Sequence, residues 1–84
     1  LSKVADTTMQ RSKEILKKLA KNNLRWTDLE RATIHVCTSH SIFARTLKFL
    51  LKNRLIEKVG EKKERAPYRI TEKGLKQLEL WENV

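Results

Sequence analysis

The chain has one cysteine, one proline, two glycines and few aromatics, which make up 6% of its residues. A lone cysteine rules out an internal disulfide and fits a reducing cytosol, the expected setting. No His/Cys cluster stands at zinc spacing, so no metal is expected. Two glycines cannot build the loop that cradles phosphates in nucleotide-dependent enzymes. The scarcity of aromatics leaves little to stack on unpaired RNA bases. No apolar run approaches the ~20 residues of a membrane span, and the opening residues do not read as a secretory leader. No Ser/His/Asp, Cys/His or paired-carboxylate spacing supports catalysis, so neither an enzyme nor a cofactor is expected. Acid is also scarce: 10 Asp and Glu face 19 Lys and Arg, for a net charge of +9. A field of that sign attracts polyanions, whether DNA, RNA or an anionic membrane. The 84 residues read as one domain, 1–84. Its core is small enough to gain from a partner subunit.

The most informative stretch is Thr38–Asn53. At about 100° per residue it sorts as a helix of some four turns. Phe43, Leu47 and Leu50 fall on one line. Ser41, Arg45, Lys48 and Lys52 fall on the opposite one. Ile42 and Phe49 flank the polar line on one side, Ala44 and Leu51 on the other. The helix is therefore apolar over most of its circumference, with one narrow stripe of hydroxyl and positive charge and no acid. An ordinary surface helix has a broader, mixed polar face. A helix covered on three sides that turns a basic stripe outward suits a nucleic-acid groove; the alternative is a merely solvated face.

The remaining elements follow from local signals. Thr7 or Thr8 can cap a first helix running to Lys21 or Asn22, with Ile15, Leu16, Leu19 and Ala20 on its buried face. Leu24–Trp26 makes at most a stub of strand. Thr27-Asp28-Leu29-Glu30 has the form of a capping box for a short helix ending near Thr33. Ile34–Cys37 breaks that pattern, and Thr38 or Ser39 caps the next helix. Two capped helices a few residues apart are a helix-turn-helix pattern. Leu55, Ile56 and Val59 suit a strand at about 55–60, and Tyr68–Thr71 reads as the returning strand, with Pro67 at its start. Between them residues 60–66 form a charged hairpin tip. Thr71 caps a last helix, to about Trp81, along which Leu75, Leu78 and Trp81 recur every three residues.

That order resembles a winged helix-turn-helix domain: α+β, a three-helix core, a two-stranded β-hairpin wing and a C-terminal helix. Thr46-Leu47-Lys48-Phe49-Leu50-Leu51-Lys52-Asn53-Arg54-Leu55-Ile56 resembles the end of the recognition helix and the start of the wing in small prokaryotic regulators of the MarR, PadR and HxlR type. Tyr68-Arg69-Ile70-Thr71-Glu72-Lys73-Gly74 resembles the motif by which they leave the wing. The compact size and Lys-rich surface are similar to those of regulators from archaea or their viruses. One departure stands out. These families usually place glycine where this chain has Arg54, because the helix end needs a left-handed residue. Here Asn53 is expected to take that conformation, or the helix to end differently.

The resemblance implies a transcriptional regulator that binds double-stranded DNA, with the helix at about 39–53 in the major groove. Arg45 is the first candidate for base readout, pairing bidentately with guanine. Ser39, His40 and Ser41 stand at the end of the helix that reaches bases or phosphates. Lys48 and Lys52 are assigned to phosphate, and Lys62, Lys63 and Arg65 at the hairpin tip to the backbone or minor groove. Regulators of these families usually pair, so a homodimer through Leu75, Leu78 and Trp81 is expected. Cys37 is either a redox-sensitive thiol at a helix start or a buried inert one. The rival reading is a winged-helix module that binds protein without reading DNA.

Overall fold

A computed structural model describes residues 3–60 and 66–83, with side chains from Thr7 onward. Four helices and one two-stranded antiparallel sheet make up the described residues, an α+β architecture. They are α1 (Lys3–Lys21), α2 (Trp26–Ala32), α3 (His40–Lys52), β1 (Ile56–Lys58), β2 (Tyr68–Ile70) and α4 (Glu72–Glu82).

Helix α1 is the hub, packing against α2, α3, α4 and β2. Ser12, Ile15, Leu16 and Leu19 are its buried residues, at the spacing that keeps one face inward. Ala20, expected on that face, is exposed, and the Ser12 hydroxyl is buried instead with no partner among the described residues. The helix begins four residues before Thr7, so neither Thr7 nor Thr8 caps it. No glycine or proline precedes them to stop it.

Helix α2 differs from expectation at its start. It opens at Trp26, its N-cap is Arg25, and no side chain caps it. The Thr27–Glu30 capping box does not form. Two longer-range contacts set the start instead. Leu24 pairs with Tyr68 through both backbone hydrogen bonds, at 3.3 and 2.7 Å. The Trp26 ring meets Phe43 edge-on, 4.9 Å between centroids. Together they draw position 26 into the first turn. At the other end the chain wraps around the Thr33 carbonyl, which accepts from the N–H groups of Val36 and Cys37. Thr33 Oγ1 donates back to Leu29 O at 2.9 Å.

Helix α3 opens on Ser39, whose Oγ accepts from the Ile42 N–H at 3.2 Å. Phe43, Thr46, Leu47 and Leu50 are its buried residues. It closes in a Schellman arrangement: the Arg54 N–H donates to Leu51 O and the Leu55 N–H to Leu50 O, both at 3.0 Å. The left-handed residue is Arg54 itself, with φ of 60°, while Asn53 keeps φ at −88°. The Asn53 carboxamide donates to Phe49 O, which ties it to the last turn.

The hairpin pairs Ile56 with Ile70, Glu57 with Arg69 and Lys58 with Tyr68. The Thr71 hydroxyl then joins two helices. It donates to Arg54 O at 2.7 Å and accepts from the Gly74 N–H at 3.0 Å. Gly74 must lack a side chain, because a Cβ there would fall on the Leu55 carbonyl oxygen and the Ile70 side chain. The core gathers Ile15, Leu16 and Leu19 with Leu29, Phe43, Leu50, Ile56 and Leu78, so every helix and the hairpin contribute.

Candidate nucleic-acid interface

The core takes Phe43, Leu47 and Leu50, and the opposite line of α3 therefore faces out. Ser41, Arg45, Lys48 and Lys52 are all exposed. No acid stands in α3. Among the described residues, no side-chain hydrogen bond or ion pair engages Arg45, Lys48 or Lys52. Three cations thus stand on about two turns of helix with no internal charge to neutralise them.

Two open clefts flank this ridge. The one toward α1, about 450 Å³, is lined by Thr7, Thr8, Arg11, Ile42, Arg45 and Phe49 among others. The one toward α2 and β2, about 430 Å³, is lined by Trp26, Ala44, Arg45, Lys48, Leu51 and Tyr68 among others. Arg45 lines both and so stands between them. Phe49, 39% exposed, lines the α1 cleft.

The α1 cleft carries a second cation. Arg11 Nε donates to Val36 O at 3.3 Å, which holds the guanidinium beside the turn that leads into α3. In the sequence Arg11 reads as an ordinary member of the polar face of α1. Only the packing of α1 across α3 makes it a neighbour of Arg45. On the other flank, Lys58 Nζ lies 5.7 Å from the Tyr68 ring centroid. Lys58 is exposed and reaches over Tyr68, which lines that cleft; which way the hairpin faces is not local information.

The remaining candidates divide. Ser39 is occupied as the N-cap acceptor. His40 Nδ1 lies 3.1 Å from Glu30 Oε2, and its ring packs on Trp26 at 4.7 Å between centroids. Lys62, Lys63 and Arg65 lie outside the described residues. Cys37 is buried, and burial pushes its thiol pKa up, against smaller lowering effects from the Thr33 hydroxyl, Arg11 and the Thr46 hydroxyl. It is the inert thiol of the two alternatives. Burial likewise raises the Tyr68 phenol.

The expected dimer residues are not equivalent. Leu75 is 47% exposed, Trp81 packs partly against the core, and Leu78 is 7% exposed within it. Leu78 is therefore corrected: it fills the chain's own interior and is not a free contact. Leu80, 62% exposed, is available instead.

Neither a protein-family model, a curated protein nor a solved structure matches the chain. Among the described residues no helix is long and apolar enough to cross a membrane. None of their His, Cys, Asp and Glu residues form a group that could hold a metal ion.

Proposed function

We propose that the chain is a winged helix-turn-helix regulator that binds double-stranded DNA, with α3 as the recognition helix. One observation carries this: an acid-free cationic ridge with Arg45 standing between two clefts. A helix about 10–12 Å across fits a major groove about 12 Å wide. The clefts leave room on either side for the groove walls. Arg45 reads guanine, Ser41 and His40 meet the groove at the start of the helix, and Lys48 and Lys52 bind phosphate. Arg11 adds a phosphate contact on the α1 flank. The hairpin tip, with Lys62, Lys63 and Arg65, reaches the backbone or minor groove. A cytosolic setting belongs to the same proposal.

Pairing of two copies is its second component. The outer face of α4 carries Leu75 and Leu80 at its edges, with Glu72, Lys76 and Glu79 between them. An antiparallel two-fold contact centred between Gln77 and Leu78 sets Leu75 against Leu80, Lys76 against Glu79 and Lys73 against Glu82. A two-fold pair favours a palindromic site.

Selection from a random duplex pool, followed by a salt titration of the winner, tests the DNA reading. Four or five phosphates per protomer give a log–log slope near −4, at roughly −0.9 per phosphate. Arg45→Ala is expected to flatten the preference at one base pair. Lys62→Ala with Lys63→Ala weakens all sequences alike and reduces the slope. A pool that stays random, or an Arg45→Ala protein that selects as well as its parent, ends the proposal. That result would favour the protein-docking alternative, for which the exposed Phe49 and Ile34 are the available apolar contacts.

A further inference from the structure

Glu30 does not reach back to its own helix start. It crosses to α3, where its Oε2 lies 3.1 Å from His40 Nδ1. A carboxylate can only accept a hydrogen bond, so the proton of the pair sits on Nδ1. In the neutral imidazole that leaves a lone pair on Nε2. The ring is also held in place. It packs on Trp26 at 4.7 Å and 55°, Trp26 packs edge-on against Phe43, and Phe43 is fully buried. The two partners differ in exposure: the His40 side chain is 73% exposed and the Glu30 side chain 24%. The bonded nitrogen faces the protein, and the other edge of the ring faces solvent at the first residue of α3.

We infer that His40 determines specificity by accepting, at Nε2, a hydrogen bond from a base amino group, and that Glu30 is the positioning residue that sets this polarity. The inference rests on the duplex-binding reading above and goes beyond it by naming the partner atom. In the major groove only adenine N6 and cytosine N4 donate; guanine and thymine present acceptors there, which a lone pair repels. Residues at the start of a recognition helix are the ones that reach base edges. An acid beside a DNA-binding surface would otherwise oppose the phosphates. Bonded to His40 and largely covered, Glu30 acts through the imidazole rather than on the duplex.

The experiment compares sequence selection by the parent protein, His40→Ala, Glu30→Ala and Arg45→Ala at one salt concentration. It is run at about pH 8.5, above the ordinary imidazole range. The parent is expected to favour adenine or cytosine at one position by roughly three- to tenfold, the scale of a single hydrogen bond. His40→Ala should equalise the four bases at that position and leave the Arg45 position intact. Glu30→Ala frees the imidazole to present Nε2–H, so guanine and thymine should enter there. A purely structural role for Glu30 would lower affinity without changing base identity. Thermal melts confirm that the variants fold; should Glu30→Ala melt early, Glu30→Gln takes its place, since a carboxamide supports either tautomer and broadens the same position. If the His40→Ala or the Glu30 variant's preferences match the parent's at every position, or if the parent favours guanine or thymine there, the inference is overturned and DNA binding stands. A parent protein that selects no sequence overturns both.

Discussion

Arg54 is the residue at which side chain and backbone disagree most. It holds φ of 60°, because the Schellman closure of α3 needs a left-handed residue there and the chain supplies an arginine. That conformation costs a residue with a Cβ about 1–2 kcal/mol. Glycine would relieve the cost but lose some of the gain to a freer unfolded chain. Arg54→Gly is therefore expected to stabilise the fold by about 0.5–1 kcal/mol, seen as a higher denaturant midpoint at unchanged m. Cys37 gives a second test at this scale. Burial holds its folded-state pKa above the ordinary thiol value of 9.0. The folded state thus keeps the proton longer than the unfolded one. The associated stability is present below that value and is lost as pH rises through the folded pKa. A thiol reagent should leave Cys37 untouched in native protein, and label it only once denaturant opens the core.

At the scale of elements, the caps are unequal. Ser39 makes one bond to the first turn of α3. The Thr71 hydroxyl makes two: it accepts from the Gly74 N–H to cap α4 and donates to Arg54 O just beyond the end of α3. Ser39→Ala is expected to cost about 1 kcal/mol, the usual loss of an N-cap. Thr71→Val removes a cap and an inter-element hydrogen bond together and should cost about 2 kcal/mol. Denaturation of the two variants side by side checks the ranking. The Glu57–Arg69 pair across the hairpin is exposed on both sides and adds little to stability. Helix α2, seven residues long and without a side-chain cap, depends on packing: Leu29 is fully buried and Trp26 rests on Phe43.

For the whole molecule, the governing quantity is the net charge of +9. A field of that sign favours the polyanion proposed above, and it also makes two copies of the chain repel one another. The proposed α4 pairing works against that repulsion with opposite charges at Lys76 and Glu79 and a leucine contact at each edge. Its surface is small, so a weak dimer is expected, formed at tens of micromolar and dispersed at lower concentration. Sedimentation equilibrium on charge swaps tests it. Lys76→Glu should give a monomer, and Lys76→Glu combined with Glu79→Lys should restore the dimer. A parent protein that is monomeric at all of these concentrations removes the pairing and leaves the single ridge as the binding unit.

What the sequence determined is what hydrogen bonds and side-chain spacing decide within a few residues. The period of α3 sends Phe43, Leu47 and Leu50 inward and Ser41, Arg45, Lys48 and Lys52 outward, because a helix repeats every 3.6 residues whatever surrounds it. The Ser39 and Thr71 caps were legible for the same reason, each reaching only three residues along the chain. Tertiary structure decided the rest. It started α2 at Trp26, since the aromatic contact with Phe43 and the Leu24–Tyr68 rungs outweigh a local capping box. It turned Glu30 toward His40, drew Leu78 into the core, and set Arg11 beside Arg45. These outcomes depend on which surfaces meet when α1 crosses α3 and α4, and residues far apart in the chain carry that information only jointly.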